Sequence, residues 1–257
     1  MTGTDSMRLA VLIDSDNTTA SLATELLEEI AKYGTPTIKR AYGDWTTQNL
    51  VGWKEHLLRH AIQPVQQFAY TRGKNSTDSA LIIDAMDLLY AGNVEGFAIV
   101  SSDSDFTRLA TRLRESGMTV YGLGQRSTPE PFVAACDRFV YLDLLSRPPQ
   151  EAAPRPSPGE PPTPAPPNLK RVLSTAINST SKDDGWSNLA EVGSYLIKSH
   201  AAFDPRDYGH SKLGELVRAE SYVEVRDVPS ATGSSQLWVR LRPATAKTAR
   251  KRVVDPD

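Results

Sequence analysis

Four aspartates carry the chemistry open to this sequence. Asp14 closes the apolar run Ala-Val-Leu-Ile-Asp, and Asp103 and Asp105 follow a second run in Ile-Val-Ser-Ser-Asp-Ser-Asp-Phe. Asp78 opens a long apolar stretch after Asn-Ser-Thr. If these runs are strands of one sheet, the carboxylates meet at one edge. Carboxylates a few ångströms apart repel strongly unless a cation lies between them. An all-oxygen, partly hydrated donor set selects Mg2+ or Mn2+. Such an ion can polarise a phosphoryl group, lower the pKa of bound water and orient in-line attack. The competing role is structural, because aspartates are common in loops and at helix N-caps, where they satisfy free backbone N–H groups. Capping suits Asp16 best, since it precedes the helical stretch that follows Asp14. For four aspartates at element ends in one domain, a shared site is the stronger reading. Asp84 and Asp87 fall inside the apolar stretch, and Asp84 could face the site from there.

Polar companions surround these positions. Asn17, three residues after Asp14, is placed to orient that carboxylate, a water or a substrate; capping the next helix is its competing role. Lys74, four before Asp78, could meet a scissile phosphate, and a solvated loop lysine is the alternative. Ser101 and Ser102 could donate hydrogen bonds at the same edge.

The elements that must hold these side chains alternate along the first 146 residues. Strand-like runs are expected at Arg8–Ile13, Thr37–Tyr42, Gln63–Ala69, Phe97–Val100, Thr119–Leu123 and Phe139–Leu142. Between them, helical spacing covers Ala20–Tyr33, Leu50–His60, Thr77–Tyr90 and Phe106–Ser116, with a short helix near Phe132–Cys136. Strand–helix alternation of this kind predicts an α/β fold, a parallel sheet with helices on both faces. Ligands of such sheets bind beyond the carboxyl ends of the strands.

Ten of the chain's 18 prolines lie in Arg147 to Pro167. Proline fixes φ and removes the backbone donor, so residues 147–167 are expected to form an extended spacer. Beyond it, helical stretches at Leu169–Asn178, Asn188–Ser199 and Lys212–Ala219 precede two strand-like runs, Tyr222–Val228 and Gln236–Arg242. Three helices and a hairpin predict a small C-terminal winged-helix domain over 168–243, followed by a basic tail, 244–257. The net charge of −2 hides an asymmetry: residues 1–146 carry −5 and residues 168–257 carry +3. An acidic half joined to a mildly basic half fits a metal site coupled to a module that holds polyanions. The single cysteine, Cys136, excludes an internal disulfide and a cysteine-built zinc cage. No run is long and apolar enough for a membrane span, and the first residues lack a secretory core. A reducing, cytoplasmic setting is the expectation.

Asp14-x-x-Asn17, the Lys74-x-x-x-Asp78 segment leading into an apolar helix, and Ser102-Asp103-Ser104-Asp105-Phe106 together resemble the NYN domains of the PIN-like nuclease superfamily. The resemblance covers about residues 7–146. It implies a Rossmann-like PIN fold and a metal-dependent ribonuclease, an endonuclease by preference. It implies catalytic and metal-binding roles for Asp14, Asp78, Asp103 and Asp105, with Mg2+ or Mn2+ as cofactor. Asn17, Lys74 and Ser102 are then substrate-binding candidates. Two departures stand out: the chain has Arg72-Gly73-Lys74-Asn75-Ser76-Thr77 where many relatives have Lys-Gly before the helix aspartate, and Ser102 replaces a common glycine. Residues 168–243, through Phe203-Asp204-Pro205-Arg206-Asp207-Tyr208-Gly209, Lys212-Leu213 and Leu216, resemble the OST-HTH/LOTUS winged helix. That implies RNA binding or partner docking. Lys170, Arg171, Lys198, Arg206, Lys212 and Arg218 are candidates for phosphate contact, and solvated surface charge is the competing role. RNA is the expected partner, single-stranded or structured. DNA and self-association are compatible with the sequence, and a membrane is not. Two rivals remain. One is a catalytically silent RNA-binding adaptor. The other is a haloacid-dehalogenase-like phosphatase, because Asp14-Ser15-Asp16-Asn17-Thr18 fits its Asp-x-Asp-x-Thr signature. That family inserts a flap after the motif, and the helix expected here leaves no room for one.

Overall fold

A computed structural model describes residues 6–68, 76–146, 166–229 and 235–242. Six strands form one parallel sheet: β1 (Arg8–Asp14), β2 (Thr35–Gly43), β3 (Gln63–Gln66), β4 (Gly96–Val100), β5 (Thr119–Gly124) and β6 (Arg138–Tyr141). Their order across the sheet is β3-β2-β1-β4-β5-β6. The order therefore reverses between β1 and β4, which opens a crevice at their carboxyl ends.

Continuous apolar runs belong to strands covered on both faces, and β1 and β4 are buried almost throughout. The two-residue period of the strand divides β1 between two cores. Leu9, Val11 and Ile13 pack under α1 (Ala23–Ala31) and α2 (Trp53–Arg59), with Leu26, Ile30 and Trp53. Ala10 and Leu12 pack on the other face beneath α3 (Ser76–Ala91), α4 (Thr107–Glu115) and α5 (Glu130–Ala135). The α/β fold thus has the expected layers, with shifted boundaries. β1 runs one residue further and ends on Asp14 itself. The helix expected at Ala20–Tyr33 divides into a 3-10 turn, Ala20–Leu22, and α1. β2 starts early enough to contain Pro36, and its register against β1 slips between Leu9 and Ala10. A bulge is where a strand can accommodate a residue with no N–H to donate.

Gly122 on β5 has no room for a side chain. A Cβ there would lie 2.4 Å from Cδ2 of Phe139 and 2.7 Å from Sγ of Cys136. Overpacking of this kind costs about 1–3 kcal/mol. Gly122→Ala is expected to lower the melting temperature by several degrees, read by thermal denaturation, and an unchanged melt would contradict the packing described.

The second domain comprises α6 (Leu169–Thr180), β7 (Ser187–Asn188), α7 (Leu189–Ser199), α8 (Leu213–Ala219), β8 (Val223–Pro229) and β9 (Ser235–Leu241). The three expected helices and the hairpin are present, and the short β7 adds a third strand in the order β7-β9-β8. Leu173, Val192, Leu196, Phe203, Leu216 and Val239 make a separate core. This domain covers the free edge of β6, where the Phe139 amide donates to the Ala201 carbonyl at 2.8 Å. Around that bond lie three arginine contacts: Arg206 on Glu29, Arg126 on Asp143 and Asp207, and Arg138 3.7 Å from Asp204. Among the described residues no helix is long and apolar enough to cross a membrane. Most of the proline-rich segment (147–165), the basic tail and Lys74 lie outside the described residues.

Candidate metal centre

The crevice between β1 and β4 is where the acidic residues gather. Asp14, the last residue of β1, is fully buried. Its Oδ2 accepts hydrogen bonds from the Asn17 amide and from the Ser101 hydroxyl, both at 2.8 Å. Its Oδ1 is buried and has no hydrogen-bond partner. The Ser101 hydroxyl also accepts from the Asp103 amide at 3.1 Å, which ties the exit of β4 to the exit of β1. Asp103 caps the 3-10 turn Ser104–Phe106 by accepting from the Asp105 amide at 2.9 Å. From the other side, Asp78 enters in the first turn of α3, with 8% of its surface exposed. Asp78, Asp103 and Asp105 can each present one carboxylate oxygen within 4.8 Å of the others. Asp14 stands beside this trio.

Electrostatics follow from that crowding. Burial pushes the Asp14 carboxyl above the usual range, against the opposing hydrogen bonds from Asn17 and Ser101. Asp78 rises to about 6, first through burial and then through the charges of Asp14, Asp103, Asp105 and Asp16. Ionised carboxylates held this close are costly without a counter-charge. The donor set is all hard oxygen, and Asp14 keeps one buried oxygen unused, so these residues fit a hard divalent cation.

The other sequence candidates have distinct positions. Asn17 is bonded to Asp14. Ser102 turns to the neighbouring loop, where its hydroxyl accepts from the Gln125 amide at 2.8 Å. Asp16 does not cap the helix that follows: Thr19 holds the N-cap of the 3-10 turn, and no side chain bonds there. Asp16 instead accepts from the Thr77 hydroxyl at 3.0 Å and adds its charge to the cluster. Asp84 is held away by Arg40 and by the Tyr42 hydroxyl, at the wall of a cavity of about 620 Å3 between β3 and α3. Arg206 requires a correction as a phosphate contact. Its guanidinium grips both Glu29 oxygens at 3.0 Å and both Asp204 oxygens at 2.7–2.9 Å. Such a paired group has little left to offer a phosphate. Glu29 lies near the end of α1, on the side of the sheet away from Asp14. Lys212 is exposed and lines the same interdomain cleft.

The model of the NYN domain matches residues 8–143, from the start of β1 to just beyond β6. The chain belongs to the NYN domain family. The OST-HTH/LOTUS domain model matches residues 165–234 and so takes in most of the second core. An NYN domain followed by a LOTUS domain is the organisation of this chain, and its six-stranded parallel sheet has the PIN-like α/β architecture. Among solved structures, a protein of unknown function from Vibrio parahaemolyticus is 18% identical, with a TM-score of 0.46, over 55% of this chain and 96% of that one. A fragment of a Chromobacterium violaceum protein is 28% identical over 35% of this chain and 96% of its own, with a TM-score of 0.28. An uncharacterized protein of Nitrosomonas europaea is 34% identical over 36% of this chain and 90% of its own, with a TM-score of 0.27. No curated protein matches significantly.

Proposed function

We propose that the NYN domain is a metal-dependent ribonuclease, endonucleolytic by preference, that hydrolyses phosphodiester bonds, with the LOTUS domain helping to hold the RNA. The observation that carries this reading is the carboxylate trio of Asp78, Asp103 and Asp105 at the sheet's crevice, beside a buried Asp14 with one unpartnered oxygen. Mg2+ or Mn2+ held by these four residues would supply charge neutralisation at the phosphoryl oxygens and activation of water. The chain's own part is positional. Asn17 and Ser101 fix the Asp14 carboxylate, and Ser101 couples it to Asp103. Asp78 and Asp105 stand where α3 and α4 begin, and helix N-termini favour a bound anion such as phosphate. Ser102 and Lys74 are proposed to flank the substrate.

The test is incubation of the full chain with labelled single-stranded RNA, structured RNA and DNA in Mg2+, Mn2+ or EDTA. Cleavage of RNA in either metal and none in EDTA is expected. Cleavage that persists unchanged in EDTA sinks the metal reading. RNA binding without cleavage under any condition would identify an RNA-binding adaptor instead.

A further inference from the structure

α4 presents a row of side chains that leads away from the carboxylates. Asp105 lies three residues before Arg108, and Arg112 follows one turn later, so the three fall along one side of the helix and the turn that precedes it. Both arginines are exposed. Among the described residues neither is paired with a carboxylate, whereas Arg114 on the same helix pairs with Asp137 at 3.0 Å. Arg8 and Arg59, also exposed in this domain, are each paired with a glutamate, which leaves Arg108 and Arg112 open to an external anion.

The row also has a far wall. An Arg112 guanidinium nitrogen lies 3.5 Å from the hydroxyl of Tyr90, at the end of α3, and that tyrosine is 74% exposed. α3 carries Asp78 in its first turn and Tyr90 in its last, about 18 Å apart at the helical rise. Asp78 and Asp105 at one end, and Tyr90 and Arg112 at the other, therefore mark the two ends of a path between α3 and α4. It starts at the acidic cluster and ends at an exposed aromatic ring.

We infer that this path binds single-stranded RNA leaving the carboxylate centre. Arg108 and Arg112, about 6 Å apart along α4, meet consecutive backbone phosphates, and Tyr90 stacks on a base. The inference rests on the proposed reading of the centre and adds the route and strandedness of its substrate. A duplex is too stiff and too broad to offer single bases to Tyr90, whereas a single strand can turn them outward.

Binding of a fluorescent single-stranded RNA to the full chain, measured by anisotropy across a salt series in Mg2+, tests it. The Asp14→Asn background keeps the RNA intact during titration. For a single strand the slope of log K against log salt is about 0.7 per phosphate contact. Arg108→Ala/Arg112→Ala is expected to reduce that slope by about 1.4, and Tyr90→Ala to weaken binding by about tenfold. Lys54→Ala, on α2 across the sheet, is the control and should keep the slope. An unchanged slope in the double variant overturns the path even if the wild type cuts RNA. Binding of no single-stranded RNA at any salt overturns it too. A reduced slope in a chain that never cuts supports the path while the nuclease reading fails.

Discussion

Asp78→Asn protein, stripped of metal, is expected to melt higher than the wild type while cutting RNA at least ~10^3-fold more slowly in Mg2+. Both effects have one cause. Asp78 is buried beside Asp14, Asp103 and Asp105, and this raises its pKa to about 6 from an ordinary 3.8. The ionised form is therefore disfavoured in the folded chain relative to the unfolded one. For a carboxyl with a raised folded pKa, the protonated form's advantage is full below about pH 4. It is lost as pH rises through about 6, and at neutral pH the folded state carries the whole penalty. A two-unit shift corresponds to about 3 kcal/mol, and screening from the open side of the cluster brings that nearer 1–2 kcal/mol. Asparagine keeps the shape and removes the charge. In EDTA, its advantage in melting temperature over wild type should be present at pH 7.5 and gone near pH 4. Adding Mg2+ should raise the wild type more than the variant, since the ion replaces repulsion with attraction only where the charge exists. Equal melting of the two proteins in EDTA at pH 7.5 would show that the carboxylates are not crowded. A variant that still cuts at wild-type rate would remove Asp78 from the centre.

Much of this arrangement was legible in the residues. Runs such as Leu9–Ile13 and Phe97–Val100 announce strands buried on both faces, and the aspartates that end or follow them had to fall at one edge of a parallel sheet. The core role of Phe203 and Leu216 was likewise readable from their apolar character. What spacing could not convey was partner choice. Asp16 resembles a helix cap, yet the chain makes a 3-10 turn headed by Thr19, and Asp16 bonds to Thr77, 61 residues away. Ser101 and Ser102 are adjacent and chemically alike. The alternation of the chain sends the first hydroxyl to Asp14 and the second to the Gln125 amide. Arg206 has the look of a free phosphate contact because Glu29, which with the neighbouring Asp204 occupies its guanidinium, comes from the other domain. No local pattern carries a contact between residues 177 positions apart. The Arg108–Arg112 row did not stand out in the sequence, where two arginines on a helix read as ordinary surface charge. Its meaning depended on knowing that neither arginine has a carboxylate partner.

That misplaced arginine sets up the second large effect: Arg206→Ala is expected to release the LOTUS domain from the NYN domain without unfolding either. Glu29 is almost fully buried, with a side chain 4% exposed. Burial alone would raise its pKa. Hydrogen bonds from Arg206, Lys32 and Tyr33 reverse this and bring it down to about 2. Breaking one side of a buried ion pair costs about 3–5 kcal/mol, because the other charge stays desolvated. Lys32 and Tyr33 remain to Glu29, so about 3 kcal/mol is a reasonable scale, roughly a hundredfold in the docking equilibrium. Each domain keeps its own core, so two folded units should persist, with a larger radius of gyration by small-angle scattering and faster independent tumbling by NMR. The pH dependence has a definite sign. A carboxyl with a depressed folded pKa contributes stability that is complete above its ordinary value of 4.5 and is lost as pH falls toward about 2. Docking should therefore hold from pH 7 to about 5 and weaken below that. Asp207 is the second buried carboxyl at this seam: burial raises its pKa, and the Arg126 guanidinium opposes the rise. Glu29→Gln removes the main titrating partner and should flatten the acid-side opening. If Arg206→Ala leaves the radius of gyration unchanged, the closure of the β6 edge by the Phe139–Ala201 bond and the Arg126–Asp207 bridge holds the domains without it.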